Sequence, residues 1–140
     1  MDWYWLSLVP IPILLWLWLE LFRDEAPLIP LPRDTIRKML KLARASKGDV
    51  VYDLGSGDGR VLIIATKEFH AESVGIEKNR LMVLFSRWII TKNKLQNRIK
   101  IIHGNIFKGD FRNADVIVMY LSHKLTQKLK SKFEKELRKG

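Results

Sequence analysis

The run "VVYDLGSGDGRVLIIA", residues 51–66, constrains this chain more than any other stretch. A β-branched apolar segment ends at Asp53 and Leu54. Glycines follow at 55, 57 and 59, and a second apolar segment begins at Val61. Val61, Ile64, Ala65 and Glu68 recur at helical spacing, so the run reads as strand, tight turn and helix. Glycine lacks a Cβ and enters positive φ freely. Three glycines at such a junction therefore mark a backbone that turns sharply and lets a ligand approach closely.

The same alternation continues. "DVVYDL" (49–54), "SVGIE" (73–77), "RIKIIHG" (98–104) and "DVIVMYL" (115–121) read as strands. Helices are expected before the first strand, capped by Asp34 or Thr35 with Ile36, Met39, Leu40 and Ala43 on one face, over Arg60–Phe69, and over 80–93 behind an Asn79 cap. A basic helix from His123 carries Leu125, Leu129, Phe133 and Leu137 on one stripe, with Lys132 and Glu136 spaced to pair. Continuously apolar strands alternating with helices predict an α/β fold whose parallel sheet is covered on both faces.

The first residues are of another kind. Trp3–Phe22 is apolar and has no charge from Trp3 to Leu19, long enough as a helix for one hydrocarbon core. Trp3, Tyr4 and Trp5 suit one interface, and Pro10 and Pro12 a kinked span. Residues 1–22 are expected to be a transmembrane anchor, 23–34 a Pro-rich linker through Pro27, Pro30 and Pro32, and 35–140 the domain. Arg23, Arg33, Arg37, Lys38 and Lys41 follow the apolar stretch and none precedes it. That predicts a single-pass protein with its N-terminus out and its domain on the cytoplasmic side. Of 25 Lys and Arg, only Arg23 lies in 1–26, against four of 15 acids, so the remainder is strongly basic. Such a surface suits an acidic partner or a solvated face. The chain has no cysteine, which excludes disulfides and thiolate metal sites. His70, His103 and His123 lack metal-ligand spacing.

The loop chemistry points away from phosphate. A dinucleotide loop of G-x-G-x-x-G form would need glycine where Arg60 stands. A carboxylate at Asp53 would repel a pyrophosphate and attract an ammonium group. Glu77 ends the second strand, where it suits ribose hydroxyls. Asn105 follows the third, where it suits an adenine edge, with Ile106 against the ring. Adenine, ribose and an amino-acid tail together describe S-adenosylmethionine.

D-L-G-S-G-D-G-R, with Glu77 and Asn105 at the next two strand ends, resembles the class I S-adenosylmethionine-dependent methyltransferases. The approach "PLIPLPRDTIRKMLKLA" and the tail "YLSHKLTQKLKSKFEKEL" resemble the small archaeal protein-lysine methyltransferases and the mitochondrial enzymes that methylate lysine on the c-subunit of ATP synthase. The resemblance implies a Rossmann-like sheet in the order 3-2-1-4, short of the family's further strands, with "DVIVMYL" as an uncovered edge. It implies cofactor contacts from Asp53, Gly55, Ser56, Gly57, Gly59, Glu77, Asn105 and Ile106. It places Tyr120 beside the transferring methyl and Pro32 and Arg33 as a closure over the cofactor. The leading functional reading is a membrane-anchored methyltransferase acting on a protein lysine. An RNA methyltransferase and a non-catalytic cofactor-binding module that docks a partner stand as rivals, and a second copy of the chain is a candidate cover for the open edge.

Overall fold

The computed structural model describes residues 10–22 and 30–137. Helix α1 (Pro10–Phe22) holds thirteen residues, roughly 20 Å of helix. Among the described residues no helix is long and apolar enough to cross a membrane. The expected span from Trp3 therefore rests partly on 1–9, outside the described residues, as does the linker over 23–29. Ile11, Leu14, Trp16 and Trp18 of α1 are all more than half exposed.

The domain runs α2 (Arg33–Leu42), β1 (Val50–Leu54), α3 (Arg60–Glu68), β2 (Glu72–Glu77), α4 (Arg80–Lys92), β3 (Ile99–His103), a 3-10 turn (Ile106–Lys108), β4 (Val116–Met119) and α5 (His123–Glu136). The four strands form a parallel sheet in the order β3-β2-β1-β4. That is the Rossmann-like order the resemblance implies. Asp34 and Thr35 are not the cap of α2. Pro32 holds that position with extended backbone, and Asp34 lies in the first turn, bonded to Arg37 at 2.8 Å. Proline fixes the entry angle and leaves no N–H to satisfy. Asn79 does cap α4, accepting from the N–H groups of Leu81 (2.9 Å) and Met82 (3.2 Å).

Alternation along the strands sends side chains to two faces. Val51, Val116 and Val118 join Ile36 and Leu40 of α2 and Val61, Ile64 and Ala65 of α3. Leu62, Val83, Ile90, Ile99 and Ile101 extend this layer beneath α4. On the other face Tyr52, Leu54 and Ile76 meet Phe111 and Leu129. Phe111 stands edge-on to Tyr52 and Phe133, with ring centroids 6.0 and 5.6 Å apart. Of the α5 stripe only Leu129 is fully buried, and Lys132 pairs with Glu136 as its spacing implies.

The sheet is not covered on both faces throughout. The β3–β4 connection contains only the 3-10 turn, and α5 lies over β1 and β4. Lys100, Ile102 and His103 of β3 are exposed as a result. A lysine between two isoleucines already gave this strand an alternating, one-sided pattern.

Phe111→Ala is expected to lower stability in urea unfolding by about 3–5 kcal/mol, the usual cost of emptying a buried aromatic site. Leu42→Ala, at a side chain 85% exposed, is expected to change it by less than about 0.5 kcal/mol.

Candidate functional site

The loop 55–59 closes over the C-terminal ends of β1 and β2, and four of its five backbone N–H groups are already bonded within the protein. The N–H groups of Gly55 and Ser56 both donate to the Ile76 carbonyl, at 2.8 and 3.2 Å. Gly57 N–H donates to the Glu77 carboxylate at 2.8 Å, and Gly59 N–H to the Ser56 carbonyl at 2.8 Å. The Arg60 N–H bonds Asp58 at 3.2 Å. A phosphate-binding loop keeps such donors for its ligand. This one spends them on itself, so it offers shape and carboxylates instead.

Gly55, Gly57 and Gly59 have φ of +80°, +51° and +80°, and each needs glycine's freedom. A Cβ on Gly55 would lie 3.3 Å from Leu121 Cδ2. Gly59 opens α3 against α4: its Cβ would meet Ser86 at 3.4 Å and Ile90 at 3.8 Å. The close approach it permits is thus helix to helix.

Gly75 is the residue that the sequence reading missed. It pairs with Asp53 in register, and a Cβ there would lie 2.6 Å from Ser56 Oγ and 2.7 Å from Leu62 Cδ1. The loop and α3 can sit down on β2 only because this side chain is absent. A glycine inside a strand was the available signal. Ser56 correspondingly turns its hydroxyl inward. Its Oγ is buried and lacks a hydrogen-bond partner among the described residues.

Asp53 carries the electrostatics. It is 5% exposed, and among the described residues no donor reaches its carboxylate. Burial first, then the Glu77 and Asp58 carboxylates, push it up to about 7. Glu77 bridges the loop to α4, accepting from Gly57 N–H on one oxygen and from Asn79 N–H (2.8 Å) on the other. Asp58 is engaged by Arg60, whose guanidinium also donates to the Leu31 carbonyl at 3.2 Å. Arg60 thus folds away from the loop and ties it to the chain just before α2, near Pro32 and Arg33. Converging carboxylates, one without a donor, suit a ligand with a cationic end.

The remaining expected residues stand further out. Asn105 Oδ1 accepts from Phe107 N–H at 2.9 Å and so caps the 3-10 turn, leaving its amide N–H groups to donate. Ile106 is half-buried against the Tyr52–Phe111–Leu129 cluster, a packing role. A recess of about 390 Å³ beside Asn105 is lined by Tyr52, Ile76, Ile102 and Gly104 but reaches neither Asp53 nor Glu77. Tyr120 follows Met119, which pairs with Leu54, so it stands level with Gly55 at the end of the sheet, 61% exposed.

Donorless Asp53, the carboxylate pair and the glycine cradle fit S-adenosylmethionine, whose ammonium and sulfonium are cationic and which bears no phosphate. Fold and cradle together define an S-adenosylmethionine-dependent methyltransferase domain. An RNA methyltransferase from Salinibacter ruber, solved in complex with S-adenosyl-L-homocysteine, superposes with a TM-score of 0.78 at 34% identity, over 80% of this chain and 73% of that one. The chain is 41% identical over 115 residues to a protein-lysine N-methyltransferase of Saccharolobus islandicus (strain REY15A), covering 81% of this chain and 71% of that protein. It is 30% identical over 111 residues to the Homo sapiens lysine N-methyltransferase of the ATP synthase C-subunit, over 79% of this chain. It spans about half of that longer enzyme, 47% of its length. The ANTKMT methyltransferase domain matches residues 53–140, and the chain belongs to that family.

Two outcomes are expected. Gly75→Ala forces Ser56 or Leu62 to move and should cost about 1–3 kcal/mol in thermal unfolding. The raised Asp53 also makes stability depend on pH. Between about pH 4 and 7 the folded chain holds this proton and the unfolded chain releases it, so the contribution falls as pH rises and is lost above about 7. Asp53→Asn should flatten that slope and raise the melting temperature at pH 8 relative to wild type.

Proposed function

We propose that this chain is a methyltransferase domain that transfers a methyl group from S-adenosylmethionine to a lysine side chain of a protein. The donorless, buried Asp53 opposite Glu77 carries the reading. Asp53 receives the ammonium of the cofactor's amino-acid tail. The Glu77 oxygens, each holding one backbone N–H, accept from the ribose hydroxyls with their remaining lone pairs. Asn105 donates to the adenine edge from its amide nitrogen. Gly55 and Gly57 let the backbone come into contact, while Ser56, Gly59 and Ile106 fix the shape from behind.

When bound, S-adenosylmethionine supplies a methyl made electrophilic by its sulfonium. The protein's part is alignment and the exclusion of water. Tyr120 and Leu121 stand at the rim beside Gly55, where an aromatic face steers an incoming lysine and favours nearby positive charge. Lysine must be neutral to attack, and an apolar rim next to a cationic centre lowers its pKa from about 10.4. Pro32 and Arg33, held near the loop through Arg60, close the approach.

The three-part division into anchor (1–22), linker and domain belongs to this proposal, with the linker–domain boundary expected at 34/35 moved back to Arg33, where α2 begins. So does attachment to a membrane through residues 3–22, with the N-terminus outside and the domain on the cytoplasmic side. The open edge of β4 is assigned to a second copy of the chain. What supports the lysine reading is the 41% identity to the archaeal protein-lysine enzyme. A second reading, methylation of RNA, has two observations behind it: the 34%-identical RNA methyltransferase and the basic surface.

Calorimetry with S-adenosylhomocysteine on the full chain tests the site. Glu77→Ala is expected to weaken binding about tenfold or more. Affinity should rise from about pH 6 to 8 as Asp53 ionises, and Asp53→Asn should abolish that rise. An affinity indifferent to both changes would remove the assignment. Radiolabelled methyl transfer to a membrane extract separates the acceptors. Label lost on protease treatment supports lysine, and label lost on ribonuclease treatment supports RNA.

A further inference from the structure

Helix α4 has two apolar faces. Val83 and Ile90 point inward onto β3. Leu84, Phe85 and Trp88 point outward and are 56%, 45% and 53% exposed. The Phe85 and Trp88 rings stack, with centroids 6.0 Å apart and planes at 24°, and Lys92 Nζ lies 4.2 Å from the Trp88 centroid. A helix on the surface of a water-soluble domain ordinarily turns charge outward, and a contiguous apolar patch marks a contact surface.

The charge around the patch selects the occupant. Arg80 opens the helix, Lys92 closes it, Arg87 flanks it, and α4 has no acidic residue. All three cations are exposed, and Arg87 also donates to the Ile101 carbonyl at 2.9 Å. Aromatic rings between cations, on a helix with no acidic residue of its own, match the boundary between acyl chains and anionic headgroups. We propose that the outer face of α4 docks the domain onto an anionic lipid bilayer, with Leu84, Phe85 and Trp88 in the interface and Arg80, Arg87 and Lys92 at the phosphates. This contact is separate from any anchoring by residues 3–22 and does not require it. α4 begins three residues after Glu77, so the docked helix has the cofactor-site end of the sheet at its N-terminus.

The absence of cysteine makes a single label possible. Thr91→Cys, on the same exposed face, carries a polarity-sensitive fluorophore, and Lys47→Cys, in the turn before β1, serves as control. The full chain is mixed with vesicles of phosphatidylcholine alone or with about one-quarter phosphatidylglycerol. The expected result is a blue shift at position 91, none at 47, with the anionic vesicles only, weakened by added salt. Leu84→Ser with Trp88→Ser should abolish that shift and weaken any part of vesicle binding due to α4 about tenfold, while S-adenosylhomocysteine binding persists and reports an intact fold. A chain that sediments with vesicles while position 91 stays unshifted overturns the docking face and leaves the N-terminal anchor standing. A position 91 already shifted without vesicles, whether or not this depends on protein concentration, overturns it in favour of a second copy or the chain's own apolar segment. No sedimentation with anionic vesicles overturns both.

Discussion

The Ile76 carbonyl at the end of β2 receives two N–H groups from the glycine loop, and the Glu77 carboxylate receives a third. These bonds lay the loop across two strands rather than letting it extend from one. The direction of α3, the burial of Asp53 and the position of Leu121 against Gly55 all follow from that placement. The contact requires an empty position beneath it, which Gly75 supplies. The β1–β2 pair with its loop is therefore a single unit, and the cradle exists only as a property of both strands.

That unit sets up an electrostatic conflict. Asp53, Asp58 and Glu77 converge at one end of the sheet in a chain with an overall excess of 10 positive charges. Asp58 is neutralised locally by Arg60, and Glu77 is solvated by backbone N–H groups. Asp53 has neither form of relief. A buried carboxylate in this condition is unfavourable for folding, and such groups concentrate where a ligand supplies the missing charge. Among the described residues most lysines and arginines are exposed, so the acidic cluster is set within a basic surface.

The sheet order, which no local pattern fixes, came from the family resemblance. The strand–loop–helix unit was legible in the sequence because it depends on local patterns: β-branched runs, glycine spacing and the Asn79 cap. The carboxylates were legible for the same reason, since strand ends can be counted. What sequence did not disclose were contacts between distant residues. Gly75 looked like one residue of a strand until Ser56 and Leu62 were found against it. Phe111 belonged to no periodic element, yet it anchors a cluster between Tyr52 and Phe133. Asn105 was read for its amide, but its oxygen is taken by the turn it caps. The exposed face of β3 was misread because covering depends on the connecting segment, here too short for a helix. The apolar N-terminal stretch was read as a span; the described part of it, α1, is a thirteen-residue helix.

The strand order has a consequence for how the chain is made. β1 lies between β2 and β4, and β4 comes last among the strands. The clamp that closes this side joins Val50 to Asp115, 65 residues later, through a pair of hydrogen bonds of 2.8 and 3.0 Å. At about 5–20 residues per second, a ribosome needs roughly 3–13 s to span that interval. Throughout it, the edge of β1 that will receive β4 waits with its amides unpaired. Leu129, which helps to cover the Tyr52 face, emerges later still. The nascent chain therefore exposes β1 from the time that strand is made until β4 and α5 have followed it, and this is the interval in which a chaperone would have the most to protect.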